Sequence, residues 1–161
     1  MYVLLIFVLQ IRSYYSLEEM AYIDTLYGHQ AGVTGVDCHL KERPISIGRD
    51  RTARAWKIAE ETHLIFRGGS KAFAADCISV AKDDWFVTGH EDGNISLWLT
   101  EKKKAVATVH AAHGPKSPMI TCCDALKGSD LVATGSNDGY LRFWKVSGFQ
   151  NMVFLCWGIK H

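Results

Sequence analysis

Wherever this 161-residue chain shows a regular pattern, apolar and polar positions alternate with a period of two. In "NISLW" (94–98) Ile95 and Leu97 fall on one side, Ser96 and Trp98 on the other. In "YLRFW" (140–144) Leu141 and Phe143 oppose Arg142 and Trp144 in the same register. Alternation of this kind sends successive side chains to opposite faces of a β-strand. Each segment follows turn chemistry, "HEDGN" (90–94) or "SNDGY" (136–140), whose Asp-Gly pairs tolerate the positive φ of a tight hairpin. Further short apolar runs lie upstream, "GVTGVDC" (32–38), "DCISVA" (76–81) and "MITCCDAL" (119–126), and downstream, "HLIF" (63–66), "AVATV" (105–109) and "MVFLC" (152–156). Each unit therefore holds four short strands. No stretch of ten or more residues carries a helical period, and an all-β chain is expected.

The pattern repeats. "SIGRDRTARAW" (46–56), "TGHEDGNISLW" (88–98) and "TGSNDGYLRFW" (134–144) align on Asp50, Asp92 and Asp138. Four residues before each acid stands a hydroxyl, Ser46, Thr88 or Thr134; six after it stands Trp56, Trp98 or Trp144. The tryptophans recur at intervals of 42 and 46 residues, close to the period of a four-stranded propeller blade. These features resemble the WD-repeat β-propeller family. The resemblance implies that a Gly-His dipeptide upstream supplies a histidine, and that His, hydroxyl, Asp and Trp form one hydrogen-bonded chain in each blade. A buried carboxylate requires such donors. The first unit matches fully, with His29, Ser46, Asp50 and Trp56; the third is completed by His113 with Thr134, Asp138 and Trp144. In the second unit the expected histidine falls near "GGS" (68–70), so only Thr88, Asp92 and Trp98 remain and a looser blade is expected.

The ends fit less well. A preceding unit would place its Trp near residues 15–16 and its Asp near 9–10, where the chain has Tyr15, Ser16, Leu9 and Gln10. Residues 1–13 do not read as a propeller strand pair, although "LEEMAYIDTLYG" (17–28) reads as the approach to the Gly-His. The expected organisation is a non-matching hydrophobic segment (1–16), a partial propeller (17–156) and a short tail (157–161). Three four-stranded blades leave the ring open, since closure takes about four to eight, and a piece of a longer propeller is the expectation.

Composition changes this picture little. Net charge is +1, from 18 basic and 17 acidic residues, so any case for nucleic acid rests on local clustering. Cys38, Cys77, Cys122, Cys123 and Cys156 are odd in number and lack CxxC spacing, which fits buried thiols in a reducing compartment. The apolar start "MYVLLIFVLQI" (1–11) is shorter than the roughly 20 residues that span a bilayer and lacks a signal peptide's charged start. A buried strand, or sequence foreign to the repeat pattern, is the simpler reading, and no membrane partner is expected.

Finer resemblance comes from "YIDTLYGHQAGVTGVD" (22–37), "GRDRTARAWKIAEETHLIFRG" (48–68), "AAHG" (111–114) and "GSDLVATGSNDGYLRFWKVSGFQ" (128–150). Together these resemble the WD-repeat subunit of the U3 small nucleolar ribonucleoprotein, the U3 small nucleolar RNA-interacting protein 2 family. The resemblance is most specific over residues 48–68. It implies a nucleolar, non-enzymatic scaffold that binds U3 small nucleolar RNA at box B/C. It also implies association with box C/D core proteins, including a small kink-turn-binding protein, and a part in pre-ribosomal RNA processing toward the small subunit. No cofactor or small-molecule substrate is implied. A generic protein-interaction propeller is the alternative.

Residues 41–71 hold eight basic side chains against four acidic ones. Arg54 recurs as Arg142 in the third unit and is expected to serve the blade, its stem packing beside Trp56. Arg49 and Arg51 do not recur. They flank the turn at one rim and, with Lys57, are the RNA-binding candidates, guanidinium groups being suited to phosphates and bases. Arg51 also stands where its counterparts are Gly93 and Gly139, a position that costs a non-glycine residue roughly 1–2 kcal/mol if φ is positive. "EKKK" (101–104) reads as a solvated basic loop. Catalysis has little support: there is no phosphate-binding P-loop or nucleophile elbow. His110, His113, Cys122 and Cys123 lack the spacing of a zinc site, and neither catalytic nor metal-binding residues are expected.

Overall fold

A computed structural model describes residues 3–8, 11–16, 19–38, 43–68, 74–82, 84–114, 119–147, 151–154 and 159–160. All the sheets are antiparallel. The first complete blade is β4 (Val33–Asp37), β5 (Ile45–Gly48), β6 (Thr52–Lys57) and β7 (Thr62–Arg67), paired in that order. The second is β8 (Ala75–Lys82), β9 (Trp85–His90), β10 (Ile95–Leu99) and β11 (Ala107–Val109). The third is β12 (Ile120–Ala125), β13 (Leu131–Ser136), β14 (Tyr140–Ser147) and β15 (Asn151–Phe154). A two-residue strand, β16 (Ile159–Lys160), continues β15 along the same edge of β14, pairing with Tyr140 and Leu141. Among the described residues the one helical element is a 3-10 turn, Ile58–Glu60.

The N-terminal segment, which shows no propeller strand pair in its sequence, nevertheless forms paired strands among the described residues: β1 (Val3–Val8) runs antiparallel to β2 (Ile11–Ser16), and β2 to β3 (Ala21–Leu26). By position before Gly28-His29, β3 corresponds to the fourth strands β7 and β11. The sheet has three strands, and residue 16, the last of β2, belongs to it.

Period-two alternation becomes two separate cores because blades stack face to face. Ile45, Ile47, Ala53, Ala55 and Phe66 of the first blade meet Ile78, Val80, Phe86 and Trp98 of the second. The Phe66 ring lies edge-on to Phe86, centroids 5.3 Å apart, and Phe86 stacks parallel to Trp98 at 5.9 Å, geometries that aromatic quadrupoles favour. The opposite face of the second blade, with Trp85, Val87, Ile95 and Leu97, packs on Ile120, Val132, Trp144 and Val146 of the third. Ile95 and Leu97 therefore point to one neighbour and Trp98 to the other, as the alternation requires.

The first strands β4, β8 and β12 lie side by side, and polar side chains stitch them at one end. The Ser79 hydroxyl lies 3.3 Å from both Asp37 Oδ2 and Asp124 Oδ1, and accepts the Ala125 N–H at 2.9 Å. Lys127 of the third blade donates to Asp37 Oδ2 at 2.6 Å and to the Val80 carbonyl at 2.8 Å. Three blades are joined by four side chains.

Candidate nucleic-acid interface and the networks that position it

The turn at residues 49–51 stands on a polar chain that starts in the blade. Trp56 Nε1 donates to Ser46 Oγ at 2.9 Å, Ser46 Oγ lies 3.3 Å from His29 Nε2, and His29 Nδ1 lies 2.7 Å from both Asp50 oxygens. A carboxylate only accepts, so Nδ1 carries the hydrogen and donates. Asp50 also accepts from the Gln30 and Thr52 N–H groups and from the Thr52 hydroxyl at 2.8 Å, which locks the turn. Ser46 and His29 are buried; each polar atom must then be satisfied within the protein. The third blade repeats the chain: Trp144 Nε1 to Thr134 Oγ1 at 2.8 Å, Thr134 to His113 Nε2 at 2.9 Å, and His113 Nδ1 to Asp138 at 3.2 Å. Burial, outweighing the pull of Asp138, pushes His113 below the ordinary imidazole range. The His113–Asp138 contact is therefore a hydrogen bond from a neutral ring at pH 7, and not an ion pair.

The second blade departs from expectation in a specific way. Trp98 Nε1 donates to Thr88 Oγ1 at 2.9 Å as in its neighbours, but the histidine comes from the blade itself. His90, at the end of β9, places Nε2 3.0 Å from Thr88 Oγ1 and 3.1 Å from Ser96 Oγ. Asp92 accepts instead from the backbone and side-chain amides of Asn94, whose own Oδ1 takes the Ala111 N–H at 3.0 Å. The blade is tied by a shorter loop of bonds, not left loose. Its sequence signal was the His two residues after the hydroxyl, on the same face of a strand.

Arg54 is buried, as its recurrence suggested. Its Nη1 donates to His63 Nε2 at 2.7 Å, and Nη2 lies 4.0 Å from Asp50. Burial lowers its pKa. A Cβ at Gly28 would fall 2.5 Å from Arg54 Nη1 and 2.9 Å from the Trp56 ring, so the Gly of the Gly-His dipeptide admits the arginine and tryptophan beneath it. Arg142 donates to the Ala112 carbonyl at 3.1 Å and lies over the Tyr140 ring.

The three RNA-binding candidates are not brought together. Arg49 reaches across to the second blade, Nη2 2.8 Å from Asp76 Oδ1 and Nη1 3.3 Å from Glu91. Asp76 is largely buried there. Its Oδ2 has no partner among the described residues, and burial raises its pKa despite Arg49. Arg51 is exposed, with φ at +62°, the left-handed conformation its glycine counterparts Gly93 and Gly139 adopt at +76° and +79°. It has no ion pair among the described residues. Lys57 ends β6 and pairs with Glu60 at 2.7 Å. The length of a six-residue strand, roughly 20 Å at about 3.3 Å per residue, separates it from Arg51. At its rim a cleft of about 440 Å³ opens between the first two complete blades, lined by Arg43, Leu64, Asp84 and Glu101 among others.

Among the zinc alternatives, His113 is committed to Asp138 and Thr134, and Cys123 lies beside Cys77 with its thiol pKa raised well above the usual value by that neighbour and by burial. No group of three or more His, Cys, Asp and Glu among the described residues could hold a metal ion.

Stacked four-stranded blades, each with a tryptophan tied to a buried hydroxyl and a histidine, define the class, and the chain belongs to the WD-repeat β-propeller proteins. The family model described as "WD domain, G-beta repeat" matches residues 20–57 and 104–145. More particularly, the chain is 36% identical over 104 residues to human U3 small nucleolar RNA-interacting protein 2, an alignment covering 60% of this chain and 22% of that one. It is 28% identical over 201 residues to Ribosomal RNA-processing protein 9 of Saccharomyces cerevisiae, covering 86% and 35%. The crystal structure of the RRP9 WD40 repeats superposes with a TM-score of 0.85 at 35% identity, over 91% of this chain and 47% of that one. The chain thus spans about a third or less of these curated relatives.

Proposed function

We propose that this chain is an RNA-binding scaffold of the U3 small nucleolar ribonucleoprotein, acting in the nucleolus in pre-ribosomal RNA processing. The observation that carries the reading is the match to the RRP9 WD40 repeats, a TM-score of 0.85 at 35% identity. Agreement of both fold and sequence at that level goes beyond a shared architecture, which by itself would carry no function. The names of the human and yeast relatives supply the partner and the process. U3 RNA at box B/C and the box C/D core proteins are the proposed partners, and the role is positional, not catalytic. Of the cations singled out, Arg51 is the proposed phosphate contact, supported by its exposure and its lack of an ion pair among the described residues, whereas Arg49 and Lys57 would first give up carboxylates.

Crosslinking in cells with the tagged chain tests this. Recovery of U3 RNA above other small nucleolar RNAs is expected. Exclusive recovery of proteins would favour a protein-interaction propeller and overturn the RNA reading.

A further inference from the structure

Several of the described cations are already matched. Lys82 pairs with Asp130, Lys127 with Asp37, Arg142 with Asp138, and Arg49 and Lys57 as above. Arg51, Arg67, Lys103 and Lys104, like Arg43, Lys102 and Lys145, have no ion pair among the described residues and are exposed; what sets the four apart is where they stand. They are gathered in space. Arg67, Lys103 and Lys104 line one depression of about 620 Å³ with Ile65, Gly68 and Ala105, on the outer edge where β7 meets the loop before β11. The Arg67 N–H donates to the Lys103 carbonyl at 3.3 Å, holding that loop against the strand. Thr52 faces Arg67 in the β6–β7 register, and Gly68 lines both this depression and a small cleft beside Arg51. Arg51 is thereby the upper end of the same row. Among the described residues no carboxylate lines the depression; Glu101, in the same loop, lines the cleft at the opposite rim.

We propose that Arg51, Arg67, Lys103 and Lys104 form a track for the phosphodiester backbone of RNA along the outer edge between the first two complete blades. This rests on the RNA-binding reading above and places the contact away from Arg49 and Lys57. Like charges left together without carboxylates repel until a polyanion neutralises them, and neutralising phosphates releases counterions. Ile65 and Ala105 offer apolar floor for sugar and base edges, with no side-chain amide or carboxylate among the described lining residues to read sequence, so the contact positions the RNA and leaves base choice elsewhere. An acidic peptide adding a strand to β7 fits less well, because the Arg67 N–H is already used by Lys103.

The test is filter binding of the purified chain to box B/C RNA and to oligouridylate of equal length, between about 50 and 200 mM salt. Variants are Arg67→Ala/Lys103→Ala/Lys104→Ala, its triple-Gln equivalent, and Lys145→Ala on the third blade as control. Thermal melts confirm that each is folded. The expected result is a 10- to 100-fold loss on both RNAs and a salt slope shallower by about 2 for both triple variants, at roughly 0.7–0.9 per phosphate contact. Lys145→Ala should bind as the parent does. A parent that binds RNA beside triple variants that bind equally well, with an unchanged slope, overturns the track and leaves RNA binding standing. A parent that binds neither RNA overturns both. Oligoglutamate of equal charge competing as well as RNA, and losing by the same factor in the variants, assigns the track to an acidic peptide and overturns the proposal.

Discussion

His90 Nε2 lies 3.0 Å from Thr88 Oγ1, two residues away on the same strand, and this contact does for the second blade what a loop histidine does for its neighbours. Removing it strands a buried hydroxyl that already accepts the Trp98 N–H. His90→Ala is expected to destabilise the chain by about 1–3 kcal/mol, the cost of leaving a buried polar group unpaired. His29→Ala should fall in the same range. Urea unfolding followed by tryptophan fluorescence checks this; a His90→Ala midpoint equal to the parent's would show that the contact adds nothing.

Arg51 holds φ at +62°. Arg51→Gly should stabilise the fold by up to about 1–2 kcal/mol through relief of the left-handed conformation, less the greater freedom glycine brings to the unfolded chain. If Arg51 also meets RNA, the same variant becomes more stable and binds more weakly. Melting temperature and RNA affinity, measured on one preparation, separate the two effects.

Asp76 is buried with Oδ2 unpartnered, and burial raises its pKa above the ordinary carboxyl value. The folded state then holds the proton more tightly than the unfolded chain, so ionisation costs stability as pH rises through the folded pKa. Asp76→Asn removes that cost, offset by loss of the Arg49 ion pair. The variant is expected to match or exceed the parent's melting temperature at pH 7, with any advantage shrinking toward acid. A large loss at pH 7 would mean that the Arg49 pair dominates.

His113 has the opposite sign. Its lowered pKa means that the unfolded chain binds a proton the folded chain does not, between the folded value and the unperturbed value of about 6.5. Its contribution is complete above that value and is lost as pH falls through the window. Between pH 7.5 and 5.5 the melting temperature should drop, and His113→Gln should drop less over the same range.

Lys127 spans from the third blade to Asp37 of the first. Both side chains are partly exposed, so a double-mutant cycle of Lys127→Met and Asp37→Asn should return a coupling of only about 0.2–1 kcal/mol. The contacts of the Ser79 hydroxyl with Asp124 and the Ala125 N–H, which neither substitution touches, carry the rest of the inner seam.

The repeat frame could be read directly because its signals are local. A hydroxyl four residues before the turn acid and a tryptophan six after it lie on one hairpin, so Ser46, Asp50 and Trp56 must be neighbours once the turn forms. Alternation likewise assigned Ile95 and Leu97 to one face and Trp98 to the other. The hairpin of β1 and β2 escaped because "MYVLLIFVLQI" is apolar without alternation or turn residues, leaving nothing in it to mark pairing. His90 escaped because a search for a Gly-His dipeptide looks in the loop before β8, not at the end of β9.

The candidate interface was decided between blades, where sequence distance says little. Arg49 is quenched by Asp76 and Glu91, 27 and 42 positions along the chain. Lys57 belongs with Arg51 in the sequence but stands at the other rim, because an extended strand carries its two ends apart. Arg67 and Lys103, 36 positions apart, share a depression because radial stacking sets β7 against the loop of the next blade. Hairpin chemistry is written residue by residue, whereas the pairing or freedom of a surface charge depends on which blade comes to rest beside it.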